Sequence, residues 1–218
     1  MEISVHTFVS LDGVMQGPGG AEEDTSDGFT RGGWLVPHSQ AGQLDCVDRW
    51  FRQADAFLLG RTTFELMRGY WPQVTDPDNL VATALNTWPK YVVSNTLADA
   101  AAAWGNTTVL RGDDIVAQVR RLKERPGGEL QVHGSWRLVR TLHDAGLVDT
   151  YRLLQFPVVL GEGKRLFAEG AAPASYRITE SEVASGGAGA VALTLRRTGL
   201  GTTTSGEFVV RDGREAVA

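Results

Sequence analysis

Three places in the chain set small, polar or charged side chains where a strand-like run hands over to a helix-like one. The first is Gly60-Arg61-Thr62-Thr63-Phe64-Glu65. Free N–H groups and the dipole at a helix start bind anions. Arg61 adds a permanently charged, bidentate phosphate ligand. Taken alone, capping by Thr62 with Glu65 closing a capping box explains the segment slightly better. The second is Tyr91-Val92-Val93-Ser94-Asn95, a strand ending in two small polar residues that could hold a ribose or its phosphate; alone, a plain turn explains it better. The third is Val132-His133-Gly134-Ser135-Trp136-Arg137-Leu138, where a glycine lets the backbone approach a pyrophosphate closely.

Other chemistries fit less well. G-x-G-x-x-G is absent at every strand exit. A nucleophile elbow around Ser135 needs glycines where His133 and Arg137 stand, which disfavours a serine hydrolase. Gly161-Glu162-Gly163-Lys164 lacks the upstream spacing and the following Ser or Thr of a phosphate loop, and reads as a tight turn. His6, His38, His133 and His143 show no ligand spacing, so no metal is expected. His133 reads as a satisfied strand-end histidine. Cys46 is the one cysteine, which rules out an internal disulfide, and it reads as a buried thiol.

The elements that must position these residues follow from periodicity. Strand-like runs occupy Ile3–Val9, Ala56–Leu59, Lys90–Ser94, Thr107–Leu110, Glu129–His133 and Thr150–Phe156. Gln43–Gln53 puts Leu44, Val47, Trp50 and Phe51 on one helical face. Shorter helices are expected at Thr62–Met67 and Leu80–Leu85, another around Ile115, Val119 and Leu122, and one at Ser135–Leu142 with Ser135 as its cap. Beyond residue 148 strands follow strands, with Tyr176–Val183 and Ala190–Arg197 flanking the turn Ser185-Gly186-Gly187. The pattern predicts one α/β domain: a mixed, mostly parallel central sheet flanked by helices, with a C-terminal antiparallel hairpin. Residues 10–42 are expected to form a long irregular loop, residues 199–205 a flexible lead, and Phe208–Val210 a weak strand before a frayed tail.

With 218 residues, 42% of them hydrophobic, the chain suits a single well-cored domain. Its 21 Lys and Arg against 26 Asp and Glu give a net charge of −5, and no basic run occurs, so nucleic acid is not an expected partner. No apolar run reaches membrane-spanning length and no targeting segment opens the chain, so a soluble cytoplasmic protein is expected.

Together, and in this order, the junctions are specific. Gly60–Glu65 resembles the G-R-x-T-[FW]-[DE] element of dihydrofolate reductases, Val92–Asn95 their following strand, and Val132–Leu138 their V-x-G-[GS] turn. Val9-Ser10-Leu11-Asp12-Gly13-Val14 and Phe156-Pro157-Val158-Val159-Leu160-Gly161-Glu162-Gly163 are closer to the reductase domain of the riboflavin-biosynthesis deaminase-reductase. The resemblance spans roughly residues 2–198 and leaves 199–218 as an extension. It implies a dihydrofolate-reductase-like fold with NADPH across an eight-stranded sheet. Gly60, Arg61, Thr62 and Thr63 would sit at the phosphates, and Ser94 and Asn95 at the 2′-phosphate. Gly134, Ser135, Trp136, Arg137 and Leu138 would hold the pyrophosphate and the nicotinamide side. The Gly134–Ser135 bond stands where the family often has a cis Gly-Gly. The Ser10–Trp34 loop, with Asp12, Val14 and Trp34, would be a mobile flap over the nicotinamide and substrate.

The family's single carboxylate on the first helix has no clean counterpart. Asp45 and Asp48 are available, and Asp48 is the choice for the catalytic acid, although a solvated surface acid describes it equally well; folate is not supported as substrate. The expected reaction is hydride transfer from NADPH to a C=N or C=O carbon of a small pteridine- or pyrimidine-like heterocycle. The alternative is an NADP(H)- or nucleotide-binding protein without turnover. A homodimer is expected, because no helix follows the final hairpin to cover its outer face and the related reductases pair.

Overall fold

The computed structural model describes residues 1–39, 41–185, 189–199 and 205–217. Ten strands and five α-helices follow one another as β1 (Glu2–Val9), α1 (Ala41–Phe51), β2 (Ala54–Gly60), α2 (Arg61–Tyr70), α3 (Leu80–Thr87), β3 (Lys90–Val93), β4 (Thr107–Leu110), α4 (Ile115–Lys123), β5 (Glu129–His133), α5 (Trp136–Asp144), β6 (Thr150–Gln155), β7 (Tyr176–Val183), β8 (Val191–Arg197), β9 (Phe208–Arg211) and β10 (Arg214–Val217). Eight strands form one sheet in the order β4-β3-β2-β5-β1-β6-β8-β7. β4 through β6 run parallel, while β8 pairs antiparallel with both β6 and β7. The expected α/β class, mixed sheet and final antiparallel hairpin are all present. Gly186 and Gly187 of the turn expected at Ser185-Gly186-Gly187 lie outside the described residues.

Alternation along the strands divides two cores. Ala56 and Leu58 of β2 face one side, with Ile3, Val5, Leu130 and Val132, beneath α4 and α5. Phe57 and Leu59 face the other, with Phe51, Phe64, Leu85 and Val92, beneath α2 and α3. On that second side the three central strands carry Ser4, His6, Glu129, Gln131, His133 and Arg152, all buried. A polar layer therefore lies beneath the end of α1, whose Trp50 carbonyl accepts from the Gln131 amide at 2.7 Å.

Several expectations need correction. Leu44 shares the apolar face of α1 with Trp50 and Phe51 but is 61% exposed, because it borders a cleft. The segment 10–39 is tied to the rest of the fold at several points. Gln16 donates to the carbonyls of Asp24 and Ser26 and accepts from the Lys164 amide. Lys164 in turn pairs with Asp24 at 2.7 Å. Where a tight turn is expected, Gly161–Lys164 forms a sharp bend: Gly163 has φ +108°, and a Cβ there would lie 2.8 Å from Val14 Cγ1. The tail is more regular than expected, since β9 pairs antiparallel with β10 in a separate hairpin. Most of the lead at 199–205 falls outside the described residues. In the final hairpin Ala192 and Thr194 of β8 are buried on one face and Leu193 and Leu195 half-buried on the other, while β7 at the sheet edge is exposed along nearly its whole length.

Candidate functional site

β2, β3 and β5 end side by side, so their exits form a ridge. Gly60 lies opposite Val93, and β5 on the other side of β2 leaves through Gly134 and Ser135. Those two residues have φ of +51° and +55°. Glycine takes the left-handed region freely, whereas a serine there costs about 1–3 kcal/mol and must be held. Three hydrogen bonds hold it. Ser135 Oγ accepts from the Gly60 amide at 2.9 Å and donates to the His133 carbonyl at 2.9 Å. The Ser135 amide donates to Thr63 Oγ1 at 3.0 Å. Two strand exits are thus tied together through Thr63 and Ser135. The Gly134–Ser135 bond is trans, like every described peptide bond.

This tie overturns both expected caps. α2 starts at Arg61 with Gly60 in the cap position, so Thr62 lies inside the first turn. Ser135 occupies the cap position of α5, but its hydroxyl turns back to His133 and caps nothing. The contrast with α3 and α4 is plain. Asn79 caps α3 by accepting from the Ala82 amide at 2.9 Å, and Asp114 caps α4 by accepting from the Ala117 amide at 2.9 Å. First-turn amides have no partner inside their own helix. At α2 and α5, on neighbouring strand exits, no side chain takes their place.

The β3 exit adds polar groups to the ridge. Arg61 Nη1 reaches Thr96 Oγ1 at 2.5 Å, directly after Ser94 and Asn95, while its Nε pairs with Glu65 at 3.0 Å. Ser94 Oγ accepts from the amides of Thr96 and Leu97, and Asn95 Oδ1 accepts from the Gly112 amide. Both side chains therefore shape the turn that sequence alone favoured. The Ser94 hydroxyl proton and the Asn95 amide nitrogen are left as donors. Arg137 is exposed and Leu138 buried, and the Trp136 indole donates to the Arg165 carbonyl at 2.8 Å.

Beside the ridge lies a cleft of about 530 Å³ between α1, α2, the start of α3 and the ends of β1 and β5. Trp50, Phe51, Leu66, Met67 and Trp71 give it apolar walls, and His6, Thr63, His133 and Gly134 meet it from the sheet and the ridge. Thr63 and Gly134 therefore belong to both regions. Asp48 lines the cleft, as chosen; the discarded Asp45 is exposed and does not. Asp12, Val14 and Trp34, expected at the substrate, do not line it either. Val14 and Trp34 are core residues, Trp34 standing edge-on to Phe156 and donating to the Gln16 carbonyl. Asp12 binds the far loop, accepting from Ser10 Oγ at 2.6 Å and from the amides of Leu160 and Gly161. Desolvation would raise its pKa, but these bonds win and hold it at about 2. The same segment meets the cleft through Met15, Pro18 and Glu23 instead.

The floor beneath the cleft was missed in the sequence. His6 and His133 stack at 4.8 Å between ring centroids. His6 Nε2 meets Ser4 Oγ at 2.9 Å, and Ser4 Oγ donates to Glu129, which Arg152 holds at 2.6 Å. Burial keeps both imidazoles uncharged: it lowers His133 to about 3, and burial followed by the neighbouring His133 and Arg152 lowers His6. The available signal was a strand, Glu2–Val9, with serine and histidine on the face where burial calls for apolar residues.

Comparison with known proteins agrees with this architecture. The chain matches the RibD C-terminal domain model over residues 2–192. It is 33% identical over 167 residues to protein YyaP of Bacillus subtilis, covering 74% of this chain and 77% of that one. A candidate riboflavin biosynthesis protein of Shewanella sp. PV-4 superposes with a TM-score of 0.68 at 20% identity, over 91% of this chain and 99% of that one. Dihydrofolate reductase of Enterococcus faecalis, complexed with NADP(H), superposes with a TM-score of 0.56 at 15% identity, over 91% and 97%. The fold is the dihydrofolate-reductase type, and the chain belongs to the RibD C-terminal domain family.

Proposed function

We infer that the protein is an NADPH-dependent reductase that acts on a C=N or C=O carbon of a small planar heterocycle held in the cleft. One observation carries this reading: the two uncapped helix starts meet at Thr63 and Gly134, and those residues also wall the cleft. A dinucleotide laid along the ridge would have its phosphates at the first-turn amides of α2 and α5 and its reactive ring at the cleft. Bound there, the nicotinamide supplies the hydride.

The chain's own residues supply the rest. Gly60 and Gly134 give close backbone approach, and Arg61, Ser94 and Asn95 offer donors for a 2′-phosphate. Trp50, Phe51 and Trp71 exclude water from a flat ring. Asp48 stands in the wall to orient the ring and pass a proton to it. The same reading includes a homodimer, with the exposed edge strand β7 available for pairing. Light scattering tests that part, and a mass equal to one 23.5 kDa chain would end it.

The activity is tested by following NADPH absorbance with a panel of oxidised pterins and pyrimidines. Consumption that depends on both the heterocycle and the enzyme supports the reading. Tight NADPH binding with no consumption across the panel would leave a nucleotide-binding protein instead.

A further inference from the structure

His133 lines the cleft but has no task in the reaction described so far. It ends β5, one residue before Gly134, and is 9% exposed. Its imidazole packs against the rings of His6, Phe51 and Phe57, at 4.8, 4.7 and 5.7 Å between centroids.

The proton on that ring can be placed from its neighbours. Gln131 Nε2 donates to the Trp50 carbonyl at 2.7 Å and to Glu129 at 3.0 Å. A carbonyl only accepts, so the amide nitrogen of Gln131 faces Trp50 and its oxygen faces His133. That oxygen also only accepts, so the 3.1 Å contact with His133 is donated by Nε2–H. Burial keeps the imidazole neutral, and a neutral imidazole carries one N–H. Nδ1 is therefore a bare acceptor. The arrangement is held from behind: Gln131 is fully buried, and Arg152 holds Glu129 at 2.6 Å.

Nδ1 makes no hydrogen bond, yet the protein does not seal it. Among the described residues, the sealed side-chain nitrogens and oxygens without a partner are His6 Nδ1, Arg68 Nε and Arg152 Nε. His133 Nδ1, equally unpartnered, is not one of them and so keeps accessible surface. The open space that His133 borders is the cleft.

We propose that His133 is a specificity-determining residue of the cleft, presenting Nδ1 as the acceptor for an N–H of the bound heterocycle, and that Gln131 is the positioning residue that sets this polarity. This rests on the cleft being the substrate site of the reductase. A ring edge without a donor leaves the acceptor desolvated and unpaired, which costs affinity.

Lumazine, with two ring N–H groups, and 1,3-dimethyllumazine, with none, test it. Each is titrated by equilibrium dialysis against the full chain, in buffer acidic enough to keep lumazine neutral. Lumazine is expected to bind roughly tenfold more tightly or better. In His133→Phe, which keeps a flat ring in the stack, the preference is expected to fall at least to about a third, and likewise in Gln131→Met. A preference due to methyl bulk alone survives both substitutions and overturns the proposal, as does failure of both ligands to bind at millimolar concentration. Long-range ¹H–¹⁵N correlation spectra of the unsubstituted protein decide the polarity even if the variants fail to fold. His133 is expected as the Nε2–H form, with an Nδ1 resonance that moves on adding lumazine and not on adding its dimethyl derivative. A proton on Nδ1, or an Nδ1 resonance indifferent to lumazine, overturns the proposal. NADPH is titrated separately: if it does not bind, the reductase reading falls, while the lumazine pair and the spectra without cofactor still decide the role of His133.

Discussion

The ridge and the cleft share Thr63 and Gly134 yet have opposite electrostatics. The ridge presents uncapped amides, an arginine and small donors, all of which favour negative charge. The cleft presents four carboxylates, Glu23, Asp48, Asp76 and Asp78, beside apolar walls, and no Lys or Arg lines it. The difference lies in how the sequence terminates its elements. Where Asn79 and Asp114 cap α3 and α4, the helix starts are finished; where Gly60 and Ser135 precede α2 and α5, they are left open. One side chain, Ser135, ties the two open ends together and takes on a strained backbone to do so.

The division predicts that the two regions can be damaged separately. The largest effect is expected from Asp48→Asn: turnover falls by about 100- to 10,000-fold, the range for losing a general acid, while NADPH affinity stays within threefold. Steady-state kinetics with a parallel cofactor titration check this, and equal loss of both would dissolve the distinction. Next is the common floor. Glu129→Ala leaves the buried Arg152 guanidinium without its carboxylate partner and is expected to cost about 3–5 kcal/mol in urea unfolding.

The floor also sets the acid response. His133 and His6 are held uncharged when folded, whereas the unfolded chain protonates its histidines near pH 6.5. On acidification the unfolded state takes up protons first, so stability is full above about 6.5 and falls as pH drops towards 3. Each histidine contributes a slope of up to about 1.4 kcal/mol per pH unit. Unfolding free energies measured between pH 4 and 7 test this, and His133→Gln is expected to flatten the slope. The smallest effect belongs to the junction. Ser135→Ala leaves the Gly60 amide without its acceptor, at about 1–3 kcal/mol, and is expected to weaken NADPH binding more than heterocycle binding.

The strands and the ridge were legible in the sequence because they depend on local signals. β4 and β5 fall where β-branched and apolar runs begin and end, and glycine at a strand exit is visible at once. The cleft's polar layer was not legible. Ser4, His6, Glu129, Gln131, His133 and Arg152 come from three strands and become neighbours only through the parallel order β5-β1-β6. Val14 and Trp34 were misplaced for a related reason. A glycine-rich loop looks mobile on composition, but Gln16 and Lys164 tie it to a turn more than a hundred residues away. Capping failed as a guide at Thr62 and Ser135 because a long-range hydrogen bond claimed the hydroxyl of Ser135 and strand β2 ran one residue further than its apolar run.

The central claim is that the ridge is a dinucleotide-phosphate site distinct from the cleft. Its most direct test is calorimetric titration of NADPH and NADH into the full chain. The account predicts saturable NADPH binding and weaker NADH binding by about 1.5–3 kcal/mol, the worth of a charge-assisted contact to the 2′-phosphate from Arg61, Ser94 or Asn95. Equal affinities would remove those three residues from the cofactor site, and no binding of either nucleotide would contradict the account as a whole.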